Sequence, residues 1–202
     1  MILFQILAIC GMLSPIIYTA MWVIIGSIQK DYSHIRDDIS SLFAVGAPYR
    51  RFSQALMIIS SSLLLVFYIG LHEGINDVGG SMLGPILFLI SSILGVLVAL
   101  FFPLDEGGEI KTYRGKMHIT FVVAMGLLTI AGMVALWIRL QFVPGWNTFA
   151  TYSLVTAIIS LVLTIISGIF AKGKYRGILE RIGVTPYQLY YFVIGLMVYL
   201  SN

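Results

Sequence analysis

The sequence predicts an all-α membrane protein, a polytopic bundle of six transmembrane helices in one domain spanning residues 1–202. Three observations carry that prediction: an apolar composition, six long apolar runs, and basic residues gathered in alternate connections. Hydrophobic residues make up 59% of the chain and charged residues 10%, with a mean hydropathy of +0.98. A water-soluble domain carries about a quarter charged residues. A helix needs roughly 20 apolar residues to cross about 30 Å of hydrocarbon, and six runs meet that length: 2–28, 52–72, 82–102, 117–140, 149–171 and 185–201. They are continuous, whereas barrel strands alternate over about ten residues.

Eleven of the twelve Lys and Arg residues lie between runs one and two (Lys30, Arg36, Arg50, Arg51), three and four (Lys111, Arg114, Lys116) and five and six (Lys172, Lys174, Arg176, Arg181). Connections rich in Lys and Arg stay on the cytoplasmic side, so both termini are expected outside, with the plasma membrane as the expected location. Seven carboxylates share the basic face, leaving it a net +4; Arg139, Glu73 and Asp77 leave the other face −1. The overall +3 therefore reads as a membrane-facing surface and gives no nucleic-acid signal. Membrane lipids are the partners expected, and association into a homo-oligomer is left open.

Run 2–28 lacks the basic start of a secretory leader, so it is expected to be retained. Its Pro15 removes one backbone hydrogen bond and predicts a kink or a gap filled by a side chain or water. Cys10 is the sole cysteine, which excludes a disulfide or cysteine cluster within one chain. Connection 31–48 is long for a linker, and Ile35, Ile39, Leu42 and Phe43 would form an apolar stripe on a short helix. His34, Asp37 and Asp38 would then share its polar face. In runs 82–102 and 149–171, the stripes Ser91, Gly95, Ala99 and Ser160, Thr164, Gly168 have the spacing that lets membrane helices approach. Phe102-Pro103-Leu104-Asp105-Glu106-Gly107-Gly108 stops the third helix and turns sharply, holding Asp105 near the surface. His118 opens the fourth helix. Tyr precedes Arg in each basic connection (Tyr49-Arg50, Tyr113-Arg114, Tyr175-Arg176), a weak three-hairpin repeat or simply the preference of both residues for the interface.

Asp38-Ile39-Ser40-Ser41-Leu42 after a first spanning helix, then Phe102-Pro103-x-Asp105 and His118, resembles the integral membrane protein family known as domain of unknown function 998. The resemblance implies a six-helix fold of this size over nearly the whole chain and draws attention to Asp38, Ser40, Asp105 and His118. It implies no activity, substrate or cofactor.

Three functions compete. In the leading one, a pocket on the cytoplasmic face binds a lipid head group or small amphiphile. His34, Arg36, Asp37, Asp38, Ser40, Arg50, Arg51, Asp105, Arg114 and His118 are the candidate residues, the arginines offering forked donors to phosphate. In the second, His34, Asp38, Asp105 and His118 hold zinc or another divalent metal for lipid hydrolysis. With three histidines in the chain, carboxylates would have to complete that set, and no cofactor is otherwise called for. The third is transport of a small molecule, with Ser60, Ser61, Ser62 and Tyr68 along a polar path; the helix centres, however, hold no ionisable residue. A bis-histidine haem on His34 and His118, and a cation on His72, Glu73 and Asp77, have weaker support. Phosphate loops and nucleophile elbows are absent, and whether the chain is an enzyme stays open.

Overall fold

The computed structural model describes residues 2–76 and 79–202, so Asp77 lies outside the described residues. The helices are α1 (Ile2–Ile28), α2 (Arg50–Ile69), the four-residue α3 (Leu71–Gly74), α4 (Leu83–Phe101), α5 (Tyr113–Leu140), α6 (Asn147–Ile169) and α7 (Arg176–Ser201). All but α3 are long and apolar enough to cross a membrane. Among the described residues there is no strand. The protein is an integral membrane protein built as a helical bundle.

The six long helices close into a ring. α1 packs on α2, α2 on α4, α4 on α5, α5 on α6, α6 on α7, and α7 returns to α1. The perimeter is aliphatic: Ile24, Ile69, Phe101, Ile138, Ile158, Ile169 and Leu200 are all more than half exposed. Such a surface is stable only against lipid tails.

Inside the ring the two halves differ. Away from the basic connections, aromatic and branched side chains fill the axis: Phe67, Tyr68, Phe88, Phe149 and Tyr190 are buried. Their rings stack or tilt at 5.2 Å between Tyr68 and Phe88 and 5.5 Å between Phe149 and Tyr190. In the half nearer the basic connections Met21, Ile25, Ile39 and Leu42 form a second buried cluster at one side, and many of the other inward positions are small. Ser91, Gly95 and Ala99 are all buried on α4, as the stripe predicts, and Ser91 shares a hydrogen bond with Thr129 of α5 at 2.9 Å. The α6 stripe behaves differently. Ser160 is buried and Thr164 meets the Tyr187 hydroxyl at 2.9 Å, but Gly168 is exposed with open space around it.

Pro15 leaves α1 continuous, and a polar side chain attends that turn: Ser60 Oγ donates to the Ser14 carbonyl at 3.0 Å, and the two hydroxyls share a further hydrogen bond. Thr112 caps α5 by accepting from Gly115 N, so this helix begins at Tyr113, ahead of residue 117. α7 departs most from expectation, beginning at Arg176, nine residues before 185. Its charged first turns read as a loop in sequence, but they dock on the first connection, and tertiary contacts override the polar pattern. Each Tyr-Arg pair stands at the start of a helix, α2, α5 or α7.

Candidate functional site

The three basic connections meet on one face. Val45 N donates to Leu104 O at 3.0 Å and joins the first to the second; Ile178 N donates to Ile35 O at 3.1 Å and joins the first to α7. Residues 31–48 do not form the expected helix. Asp37 accepts from Ser33 N at 2.8 Å, a local side-chain bond that competes with helical pairing, and Asp38 is extended at φ −66°, ψ 150°. Only Ile39–Phe43 winds up, as a 3₁₀ turn whose Ile39, Leu42 and Phe43 are buried. Ile35 falls outside the apolar stripe and is exposed, and the shared His34, Asp37, Asp38 face is lost.

Arg181 fastens this connection. Its buried guanidinium donates from Nη1 to the carbonyls of His34 (2.8 Å), Asp37 (3.0 Å) and Gly177 (2.8 Å), and from Nη2 to the Tyr32 hydroxyl (2.5 Å). It also lies 5.1 Å over the Trp22 ring. The α7 backbone approaches closely enough that a Cβ on Gly177 would stand 2.5 Å from Asp37 O. Burial holds the Tyr32 phenol up at about 12.

Each of the predicted residues has a definite place. His34 stands edge-on to Trp22 and Tyr32, and burial with nearby Arg181 pushes its imidazole below the ordinary value. Arg36 grips Asp37 through Nε and Nη2, and that hydrogen bonding draws the Asp37 carboxyl down. Asp38 faces Arg176 Nε at 3.4 Å; burial nevertheless raises it. Asp105 receives Lys111 N, Thr112 N, the Thr112 hydroxyl and Arg114 Nη2 at 2.6 to 3.1 Å, which holds its carboxyl far below the ordinary range. Arg51 is exposed, and Arg50 begins α2 with a buried, unpartnered Nε. The metal set expected from the sequence, His34, Asp38, Asp105 and His118, is not drawn together: Asp38 faces Arg176, Asp105 gathers Thr112 and Arg114, and His118 pairs with Phe102. No group of three or more His, Cys, Asp or Glu side chains among the described residues is arranged to hold a metal ion. On the opposite face Arg139 donates to His72 Nδ1 at 3.1 Å and to Ser81 O.

Ser40 and His118 are placed elsewhere, on the wall of a cavity of about 300 Å³ inside the ring. All six long helices and the 3₁₀ turn contribute to it. Ile39, Ser40 and Phe43 form its end at the basic face, beside His118 and Glu180; Ser14, Ser60, Ser91, Thr129 and Tyr191 lie deeper. From His118 to Thr129 on α5, and from Glu180 to Tyr191 on α7, is eleven residues, about 16 Å of helix. Most of the remaining wall is apolar, including Leu64, Val98, Val122 and Val123. Val122 and Val123 are also exposed, and Gly126, one turn on, has only the Tyr187 hydroxyl near its missing Cβ. Val122 and Val123 of α5 thus belong both to the cavity wall and to the exposed surface.

His118 Nδ1 stands 2.6 Å from Phe102 O. A carbonyl only accepts, so Nδ1 carries the proton and Nε2 of the neutral ring is an acceptor. Nε2 is buried without a partner. Glu180 accepts from Ile39 N at 2.5 Å through Oε2, with the Ser40 hydroxyl beside it. Glu180 and Arg181 are not among the residues the sequence singles out, because both follow a basic run and fall in the expected connection before residue 185. The signal was there in the spacing: Arg176, Glu180 and Arg181 lie at i, i+4 and i+5, within two turns of one helix.

A family model described as "Protein of unknown function (DUF998)" matches residues 12–197, nearly the whole chain. The chain belongs to this family. No curated protein and no solved structure matches it. The resemblance carried by Asp38, Ser40, Asp105 and His118 thus extends over all six spans, and the family description adds no activity to them.

Proposed function

We propose that this DUF998 protein binds a small amphiphile inside its helix ring, with the polar end of the ligand at Ser40, His118 and Glu180 and its apolar body along α2, α4 and α5. The single observation that carries this reading is the interior cavity: about 300 Å³, mostly apolar, with Ser40, His118 and Glu180 at its basic-face end and hydroxyl groups deeper. Those are the general attributes of a ligand site, at the small end of the usual range. The unpartnered His118 Nε2 supports it, since a buried polar atom without a partner costs about 1–3 kcal/mol, which a ligand donor would recover. The exposed Val122 and Val123 support entry from the bilayer beside α5.

The site lies inside the bundle, apart from the arginines first considered for phosphate. Arg36 and Arg114 are engaged with Asp37 and Asp105, and none of Arg36, Arg50, Arg51 and Arg114 lines the cavity. By the distribution of Lys and Arg, the polar end of the cavity is proposed to face the cytoplasm.

Native mass spectrometry of protein released from nanodiscs tests this reading. A single co-purifying amphiphile is expected on the wild type, and its loss on Gly126→Leu, whose side chain enters the cavity where Gly126 leaves room. A bound species unchanged by Gly126→Leu would place the ligand elsewhere.

A further inference from the structure

At the polar end of the cavity the one carboxylate, Glu180, is surrounded by His118 and the Ser40 and Tyr18 hydroxyls. His118 Nε2 accepts, because Nδ1 is committed as the donor to Phe102 O. The Glu180 carboxylate accepts, and its one short backbone partner, Ile39 N, occupies Oε2 alone. Among the described residues no Lys or Arg forms an ion pair with Glu180. The guanidinium of the neighbouring Arg181 donates to the carbonyls of His34 and Asp37 and the Tyr32 hydroxyl in the first connection and to Gly177 O of its own helix, while its Nε is buried without a partner. Among the described residues no Lys or Arg lines the cavity. An anionic head group would bring a second negative charge to Glu180, where the Arg181 guanidinium acts through space without lining the cavity.

A protonated primary amine has the opposite character. It offers three N–H donors and a positive charge from a single atom, which matches a carboxylate oxygen, an imidazole nitrogen and the Ser40 hydroxyl. Charge-assisted hydrogen bonds of this kind are roughly twice as strong as neutral ones. We infer that the occupant of the cavity is an amine-bearing amphiphile, its ammonium held by Glu180 with His118 Nε2 and Ser40, and its aliphatic chain running about 16 Å toward Thr129 and Tyr191. This rests on the amphiphile reading and adds the ligand class. The geometry separates it from a neutral alcohol, which would use one donor and leave the carboxylate unmatched, and from a fatty acid, which the carboxylate repels.

Full-length protein in zwitterionic nanodiscs would be titrated with dodecylamine, dodecanol and dodecanoate, and bound ligand counted by native mass spectrometry, on wild type, Glu180→Gln and Gly126→Leu. Gln at 180 keeps an oxygen for Ile39 N and removes the charge, so the 3₁₀ turn stays docked. Expected is one dodecylamine per chain, weakened about tenfold or more by Glu180→Gln, dodecanol weaker than dodecylamine and within about twofold on that variant, and dodecanoate weakest of the three. Binding of every probe should fall on Gly126→Leu. If dodecanol binds as well as dodecylamine, or Glu180→Gln leaves dodecylamine unchanged while Gly126→Leu abolishes it, the amine class is wrong and the amphiphile site stands. If no probe binds, or none responds to Gly126→Leu, both are wrong.

Discussion

The two halves of the ring solve the same problem in opposite ways. Six helices around an axis leave a space at the centre, and one half fills it with Phe67, Phe88, Phe149, Tyr68 and Tyr190. The other half faces that axis with Ser60, Ser61, Ser91, Ser92, Gly95, Gly126 and Gly183, and the space stays open. Since lipid tails are as apolar as leucine, a membrane bundle gains little by burying apolar surface and much by close contact. An unfilled half loses that contact, so it needs other fastening. The basic-face connections supply it: the 3₁₀ turn closes the open end, Arg181 ties 34–37 to α7, and Asp105 ties 105–114 together. In the filled half the connections are plainer, and packing does most of the work.

If that contrast holds, cutting the fastening should cost more than altering the open space. The largest loss is expected from Arg181→Ala, which takes the guanidinium away from the carbonyls of His34 and Asp37 and from the Tyr32 hydroxyl and unties the first connection from α7. About 3 kcal/mol is expected, read as a lower midpoint of thermal unfolding in micelles. Arg181→Lys should recover only part, because one ammonium cannot reach the same four acceptors in a plane. Next comes Gly177→Ala. A Cβ there meets Asp37 O and N at 2.5 and 2.8 Å, both backbone atoms that cannot swing aside, so about 2 kcal/mol is expected from overpacking. A wild-type midpoint for either variant would mean that the first connection does not dock on α7 as described.

The six spans were legible because hydropathy over 20 residues reports directly on the solvent a helix sees. Run 2–28 coincides with α1, and 82–102 differs from α4 by one residue at each end. The open half was not legible, because small residues mean two different things. Ser91, Gly95 and Ala99 bring helices together, whereas Gly126 and Ser61 leave room, and only the neighbours across the axis decide which. Of the flagged site residues, Asp105 and His118 are the instructive pair. They lie thirteen positions apart and the sequence groups them as ligands; Asp105 is saturated by four donors from its own connection, whereas His118, on the cavity wall, leaves Nε2 without a partner. Sequence spacing places a side chain at a face, but spare hydrogen-bonding capacity is known only when its partners are.

Asp105→Asn should cost less than either change above, since two of the four donors still find the amide oxygen. Its pH dependence has a defined sign. The folded carboxyl titrates below its unfolded value because donors favour the ionised form, so its contribution is complete above about pH 4 and is lost as pH falls through the depressed folded value. The midpoint difference between wild type and Asp105→Asn should be flat from pH 5 to 8 and shrink in more acid solution. A difference that grows as pH falls would mean that Asp105 does not gather those donors.

The smallest effect on stability, and the most telling about the open half, is expected from Gly126→Leu. Glycine inside a helix costs about 1 kcal/mol relative to a good helix former. The nearest atom to the added Cβ is the Tyr187 hydroxyl at 3.6 Å, an ordinary contact, and Gly126 lines the cavity into which the rest of the side chain is expected to extend. The unliganded variant should therefore unfold at the same temperature as wild type or a few degrees higher. Added amphiphile should raise the midpoint of wild type and leave that of the variant in place. Filling a functional cavity removes a ligand and spares the scaffold. Filling a position that is already packed in life would lower the midpoint in both conditions, and in that event the contrast between the two halves would not survive.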